Sequence, residues 1–378
     1  MKTPNMISRI QIPLIAWVFV LLPTVVLPMD QAHAKTITTI ASTIPSNGDL
    51  NPYGVSRVPA STGALTKGNI LVSNFNNSNN LQGTGTTIVQ IAPTGAVTLF
   101  AQIDAKHLPG RCPGGIGLTT ALVTLSKGWV IVGSLPTKDG TAATAKAGCL
   151  LVLNSNGRVV ETFSGKQING PWDMTVSDDG DRAALFVTNV LNGTVAAGGK
   201  IVHKGTVLRI DLRIENDSMP KERARTIIAS RFAERTDPSA LVIGPTGVGL
   251  SGDKGHDHGE GQVLFLSDSL NNRIVAIKNP LRRKTSDGTG RAVSQGGALK
   301  DPLGLAIAPN GDILTVNGAN GFLVETKVHG SHGRQIRKVL LDNMGNPPGA
   351  GALFGLTAVA GQGVYFVDDN ENALNLFH

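Results

Sequence analysis

Aromatic residues are scarce in this chain: Phe, Trp and Tyr make up only 4% of its 378 residues. That points to a core of Val, Ile and Leu rather than an aromatic-lined one. Charge is also thin, at 16%, beside 46 Gly and 20 Pro. Such a balance argues against helices and for many short strands joined by tight turns. Cysteine is nearly absent, with only Cys112 and Cys149. No His-Glu-x-x-His, no Walker loop and no Gly-x-Ser-x-Gly elbow occurs, so the common helical zinc, nucleotide and serine-hydrolase signatures are missing.

Past residue 34 no stretch is apolar enough to span a membrane. Before it, Lys2 and Arg9 precede an apolar run from Ile10 to about Leu27, and Ala32-His33-Ala34 has the small-x-small form of a cleavage site. Residues 1–34 therefore read as a secretory signal peptide, and the expected location is exported, periplasmic or extracellular. Export would bring both cysteines into an oxidising compartment, where an even count favours a Cys112–Cys149 disulfide; a pair of buried thiols is the alternative. Cleavage would lower the formal net charge from +7 to +6, since Lys2, Arg9 and Asp30 leave with the peptide.

The rest of the chain repeats itself. The segments Ile70–Asn74, Val130–Ser134, Leu185–Asn189, Leu264–Asp268, Ile313–Asn317 and Tyr365–Asp369 are each a bulky apolar run ending on a small polar or acidic residue. A lead-in strand recurs around Pro52/Gly54, Gly117, Pro171/Asp173, Pro245/Gly247, Pro302/Gly304 and Gly355, in steps of 51 to 74 residues. In the clearest copy, Asp301–Asn317, the two runs are joined by Pro309-Asn310-Gly311, which is hairpin chemistry. A hairpin alone is marginal, so six copies predict an all-β fold, a six-bladed β-propeller over residues 35–378. The last copy has only three strands before the chain stops at His378. The β-branched segment Thr36–Ser42 supplies a fourth, closing the ring and covering its open edge. The charged stretch between Arg213 and Leu241 fits this pattern least, and is expected to be an extended loop with an outer strand at Thr226–Ala229.

The Pro-x-Gly-(Leu/Val) lead-in, the Asn-Gly turn and the apolar strand ending in Asn or Asp resemble the NHL-type six-bladed propellers. They are also similar to the gluconolactonase and senescence-marker propellers. The resemblance covers about residues 36–378, and its motifs speak for fold more than function. It implies metal ligands just before the lead-in Gly, usually Asn or Asp, with a Glu in the first blade. This sequence has Tyr53, Ile116, Trp172, Thr246, Leu303 and Phe354 there. The amidating lyases among the NHL proteins would need a His-lined zinc centre, and no His stands at an inner position.

Two rings of residues are the candidates for function. The strand ends Asn74, Ser134, Asn189, Asp268, Asn317 and Asp369 should share one face near the axis. Within them Asn189, Asp268 and Asp369 are a candidate set for Ca²⁺, a cation that takes oxygen ligands; the competing reading has them capping strands. The lead-in residues Tyr53, Trp172 and Phe354 either face the channel as a ligand-binding ring or pack between blades. Gly247–Gly252 matches G-x-G-x-x-G but lies in a strand lead-in with no helix to follow. His256-Asp257-His258, with His329 and His332, has metal-like spacing but falls in loops. The expected function is a monomeric binding or scaffold module for a protein or an acidic envelope polymer, with no nucleic-acid role. The alternative is a lactonase-like, divalent-metal-dependent hydrolase or lyase using the polar ring.

Overall fold

The computed structural model describes Met1 and residues 36–378, apart from 216–217, 239, 253–260 and 331; the expected signal peptide lies outside the described residues. Thr36–His378 form one compact unit of six antiparallel sheets. Blade 1 consists of β2 (Leu50–Arg57), β3 (Ile70–Asn76), β4 (Thr87–Ile91) and β5 (Val97–Gln102). Blade 2 has β6 (Leu118–Thr124), β7 (Val130–Ser134), β8 (Cys149–Leu153) and β9 (Val159–Phe163). Blade 3 has five strands: β10 (Pro171–Asp178), β11 (Arg182–Asn189), β12 (Val202–Arg213), β13 (Lys221–Asp237) and β14 (Leu241–Ile243). Blade 4 comprises β15 (Pro245–Leu250), β16 (Val263–Asp268), β17 (Arg273–Lys278) and β18 (Arg291–Gln295). Blade 5 comprises β19 (Pro302–Ile307), β20 (Ile313–Asn317), β21 (Phe322–His329) and β22 (His332–Leu340). Blade 6 joins β23 (Leu353–Val359), β24 (Gly363–Asp368) and β25 (Ala373–Phe377) to β1 (Ile37–Ser42).

The first strands touch in the order β2, β6, β10, β15, β19, β23 and back to β2, which makes them the inner wall of a closed ring. β1 pairs antiparallel with β25, Ile37 opposite Phe377 and Ser42 opposite Ala373. Beyond the strands, the Thr36 N–H donates to the His378 carbonyl at 2.9 Å and the His378 N–H returns the bond at 3.1 Å. The six-bladed ring and its closing strand are thus as the sequence implies. Each second strand is sandwiched between neighbouring blades and buried on both faces; β3, β7 and β20 are buried throughout. Burial on both faces is why these strands read as continuous apolar runs rather than alternating ones. The outermost β22 has one wet face, and its exposure alternates residue by residue.

The repeated glycine has a steric cause. At Gly304 an added Cβ would run into the Phe354 carbonyl oxygen, and at Gly355 into that of Tyr53, because successive inner strands approach that closely. Ser73 and Thr188 staple neighbouring blades from the same level. The Ser73 hydroxyl donates to the Thr119 carbonyl and the Thr188 hydroxyl to that of Thr246, each at 2.8 Å. In blade 2, Cys112 and Cys149 are bonded, Sγ to Sγ 2.12 Å, tying the lead-in to the third strand.

The segment after Arg213 departs from expectation. In place of a loop with a four-residue strand, β13 runs unbroken for 17 residues, because β12 offers it a 12-residue partner with several bulges. It then turns back into β14.

Candidate functional site

In blades 1, 3, 4, 5 and 6 the inner strand carries one extra residue opposite the second strand. Pro302 pairs with Asn317 but Leu305 with Thr315, and blades 1, 3, 4 and 6 repeat this offset. The bulge falls at the residue between Pro and Gly, and puts Tyr53, Trp172, Thr246, Leu303 and Phe354 at equivalent positions. Blade 2 has two extra residues. Gly54 of blade 1 faces the Thr119 carbonyl of blade 2 as Gly304 of blade 5 faces that of Phe354 in blade 6, so the sixth member is Thr119. Ile116, expected at this position, packs instead with Leu118, Leu122 and Cys149 in the core between blades 1 and 2.

These residues fill the axis. Tyr53, Trp172 and Phe354 are 2%, 3% and 0% exposed. Tyr53 stacks on Phe354 with centroids 3.9 Å apart and on Phe75 at 4.4 Å. Trp172 reaches Phe354 at 6.4 Å; since blades 3 and 6 stand opposite each other in the ring, that contact crosses the channel. Leu303, Leu135 and Val190 belong to the same cluster. Full burial of one such ring contributes roughly 2 kcal/mol.

A lid lies on top. Ala240, Leu241, Val242 and Ile243, buried to 4% exposure or less, belong to the same apolar cluster. The Trp172 Nε1–H donates to the Val242 carbonyl at 3.0 Å, and the Gln82 amide of blade 1 donates to the Pro238 carbonyl at 2.9 Å. Leu241 holds a left-handed φ of +62°, uncommon for a bulky residue. Beside the lid remains a cleft of about 280 Å³, lined by Gln82, Gly140, Thr141, Ala142, Thr236, Asp237, Pro238 and Leu241.

The polar strand ends are buried and engaged within their own surroundings. Asn74 donates to the Thr43 carbonyl at 3.0 Å and Ser134 to that of Gly115 at 3.0 Å. Asn189 accepts from the Asn169 N–H at 3.2 Å, while Asn317 donates to Ala298 at 2.9 Å and accepts from Lys300 at 3.1 Å. Asp268 is held by the Arg273 Nε at 2.7 Å and by the Asn271 amide at 3.0 Å. Each bond to a lead-in segment fixes where the next inner strand starts. In blade 6 the equivalent residue is Asp368, which faces Leu353 as Asn317 faces Pro302; Asp369, expected in the ring, lies one residue beyond.

Acid collects at the mouth. Asp368 and Asp369 are each pushed up to about 7, mainly by burial, Asp368 also by Asp342 and Glu371, and Asp369 by Asp368. Asp301 rises to about 6 through burial and Asp237, with Arg235 opposing. The Tyr53 hydroxyl goes well above its usual value through burial, then Asp369 and Asp237. The Asn51 amide, turned nitrogen toward Asp369, donates to both its oxygens and accepts from Asn76.

The proposed calcium ligands Asn189, Asp268 and Asp369 do not suit a cation as they stand. Asp268 would have to give up Arg273, and burial already lifts its carboxyl above the ordinary value against the pull of that arginine. Among the described residues no group of three or more His, Cys, Asp or Glu is placed to hold a metal ion. His256, Asp257 and His258 lie outside the described residues; His329 and His332 are exposed on the blade 5 outer turn. The G-x-G-x-x-G glycines begin inside strand β15. The lid was not foreseen; the signal available was Leu241–Ile243, an apolar triplet just before the Pro245 lead-in and outside the six repeats.

No protein-family model matches the chain, and neither does any curated protein. Solved structures do. A gluconolactonase from Xanthomonas campestris is similar at TM-score 0.51 and 14% identity, over 91% of this chain and 89% of that one. A putative glucose dehydrogenase from Thermus thermophilus gives 0.53 at 12% identity, over 91% and 100%. A luciferin-regenerating enzyme gives 0.53 at 9%, over 91% and 95%. At such identities the likeness is one of architecture alone, the propeller ring described above.

Proposed function

We propose that the protein is an exported propeller that binds a partner on its mouth face, in the cleft beside the lid. The observation that carries this reading is the closed axis. Where the family resemblance would put metal ligands, Trp172 meets Phe354 across the channel, and Leu241–Ile243 cover them. The remaining recess is small and mixed, with the Thr141 hydroxyl and Gln82 amide among Ala142, Pro238 and Leu241. Acids at the mouth favour a partner that offers a basic group.

A second reading, a hydrolase or lyase, draws support from one feature. Asp368 and Asp369 titrate near neutrality, as general acids and bases do. The two readings part on turnover. Mature protein is assayed on a panel of lactones and esters with and without Ca²⁺ or Zn²⁺, and a panel of small amines and basic peptides is screened by thermal shift. The expected result is no turnover, and a stabilising basic peptide whose effect is lost in Gln82→Ala with Thr141→Ala. Turnover that disappears in Asp368→Asn with Asp369→Asn makes the protein an enzyme and defeats the binding reading.

A further inference from the structure

Charge is divided unevenly around the ring. Residues 218–340, from β13 to the end of blade 5, hold 17 Lys and Arg against 11 Asp and Glu, a formal +6. Residues 341–378 contain four acids and no Lys or Arg, a formal −4. In blades 3 to 5 the outer acids are already engaged by one set of arginines: Glu222 by Arg225, Asp287 by Arg283 at 2.7 Å, and Glu325 by Arg337 at 2.9 Å. A second set, Arg231, Arg282, Lys284, Arg291, Arg334 and Lys338, is exposed and pairs with no carboxylate among the described residues.

The second set lies on one continuous wall. The blade 4 loop carrying Arg282 and Lys284 is bonded to the edge of β13, where Ser230 N–H donates to Gly288 O at 2.7 Å and Asp287 N–H to Ile228 O at 2.8 Å. Arg209 supports it from beneath, donating to the carbonyls of Pro280 at 2.9 Å and Arg283 at 3.0 Å. Arg291 opens β18 directly after that loop. Across the next gap Gln335, the neighbour of Arg334, donates to Ser294 at 3.1 Å and to Gly296 O at 2.9 Å. Three blades thus present one backbone-anchored basic strip.

We infer that this strip, running over the outer wall of blades 3 to 5, is a docking surface for a linear polyanion, a flexible chain bearing regularly spaced phosphate or carboxylate groups. The inference is independent of the mouth-face reading. The strip follows the convex rim of the ring across three blades, so a flexible chain can meet all of it, whereas a flat bilayer would touch one blade at a time. Ordered cations along a path raise the local density of a polyanion and its rate of encounter, and binding should release counterions.

The test uses mature full-length protein and long-chain inorganic polyphosphate as the probe, followed by fluorescence titration over a salt series. Binding at low salt is expected, with log affinity falling linearly against log salt. Arg282→Glu, Lys284→Glu, Arg334→Glu and Lys338→Glu together should weaken it at least about tenfold and flatten the salt slope. The matched set Lys106→Glu, Arg111→Glu, Lys138→Glu and Arg158→Glu, on exposed loops of blades 1 and 2, should cost less than about twofold. These side chains are exposed, so a melting curve checks that both variants fold. Equal losses in the two sets would mean net charge alone is responsible, and would overturn the proposal. So would an absence of binding at low salt. Anionic phospholipid vesicles captured through the same four residues while polyphosphate is ignored would replace it with a membrane surface.

Discussion

Blades 3 and 5 begin alike and finish differently. Blade 5 opens Pro302-Leu303-Gly304, and its glycine lets the Phe354 carbonyl of blade 6 come close. Blade 3 opens Pro171-Trp172-Asp173, with the same one-residue bulge and an aspartate where the glycine stands. The carboxyl fits because it bonds to both sides: Oδ2 accepts from the Val248 N–H of blade 4 at 3.0 Å and Oδ1 from its own neighbour Met174 at 2.8 Å. Blade 5 ends with four strands, whereas blade 3 adds β14 and roofs the axis. One blade therefore carries the tryptophan, the buried acid and the lid. The regular blades hold the ring, and the irregular one decides what happens at its centre.

The largest expected effect tests the glycine. Gly304→Ala should destabilise the protein by about 3 kcal/mol or more, because the new methyl meets backbone that cannot rotate away. Asp173→Asn, at the equivalent position of blade 3, keeps a Cβ already accommodated and should change stability at neutral pH by much less. Urea unfolding of both variants measures the pair. Should Gly304→Ala prove the milder change, the close approach of blades does not explain the repeat.

Asp173 also gives the inner strand of blade 3 a pH response that Gly304, at the equivalent position, cannot give blade 5. Burial lifts its carboxyl to about 8, against the pull of its two backbone N–H bonds. An acid whose folded value is raised binds its proton more tightly when folded. Its contribution to stability is therefore complete below the ordinary value of 3.8 and declines as pH rises toward 8. One such group gives a slope of at most about 1.4 kcal/mol per pH unit. Asparagine cannot titrate, so the stability difference between Asp173→Asn and wild type should move in favour of Asn from pH 5 to pH 8. A difference that stays flat would show that the carboxyl is already ionised in the folded protein.

The same contrast marks what the sequence disclosed. Repetition made the scaffold legible: apolar runs buried on both faces, glycines forced by neighbouring carbonyls and a β-branched first strand each leave a local trace. The recurrence of a polar residue at the end of each second strand was also legible, although Asp368 and Asp369 could not be told apart until pairing fixed the register. Thr119 was hidden because blade 2 carries two extra residues, which shifts any count made from Gly117. The lid was hidden for another reason. Leu241–Ile243 is an apolar triplet whose partner Trp172, like the Gln82 that holds Pro238 just before it, is distant in sequence and meets it only once the ring has closed.

The smallest expected effect concerns that lid. Trp172→Phe keeps an aromatic ring in the axial cluster but removes the donor to Val242, a loss of about 1 kcal/mol for one buried bond. The effect should be local. Amides at Val242 and Ile243 should exchange faster with solvent, while those of β20 in the regular blade keep their protection. Leu303→Met, a volume-conserving change at the equivalent position of blade 5, serves as the control and should leave Val242 protected, since Leu303 offers no polar atom to the lid. If both variants loosen the lid equally, packing in the axial cluster holds it and the tryptophan bond is incidental. If only Trp172→Phe does, blade 3 closes the channel through the one hydrogen bond that its own inner strand supplies.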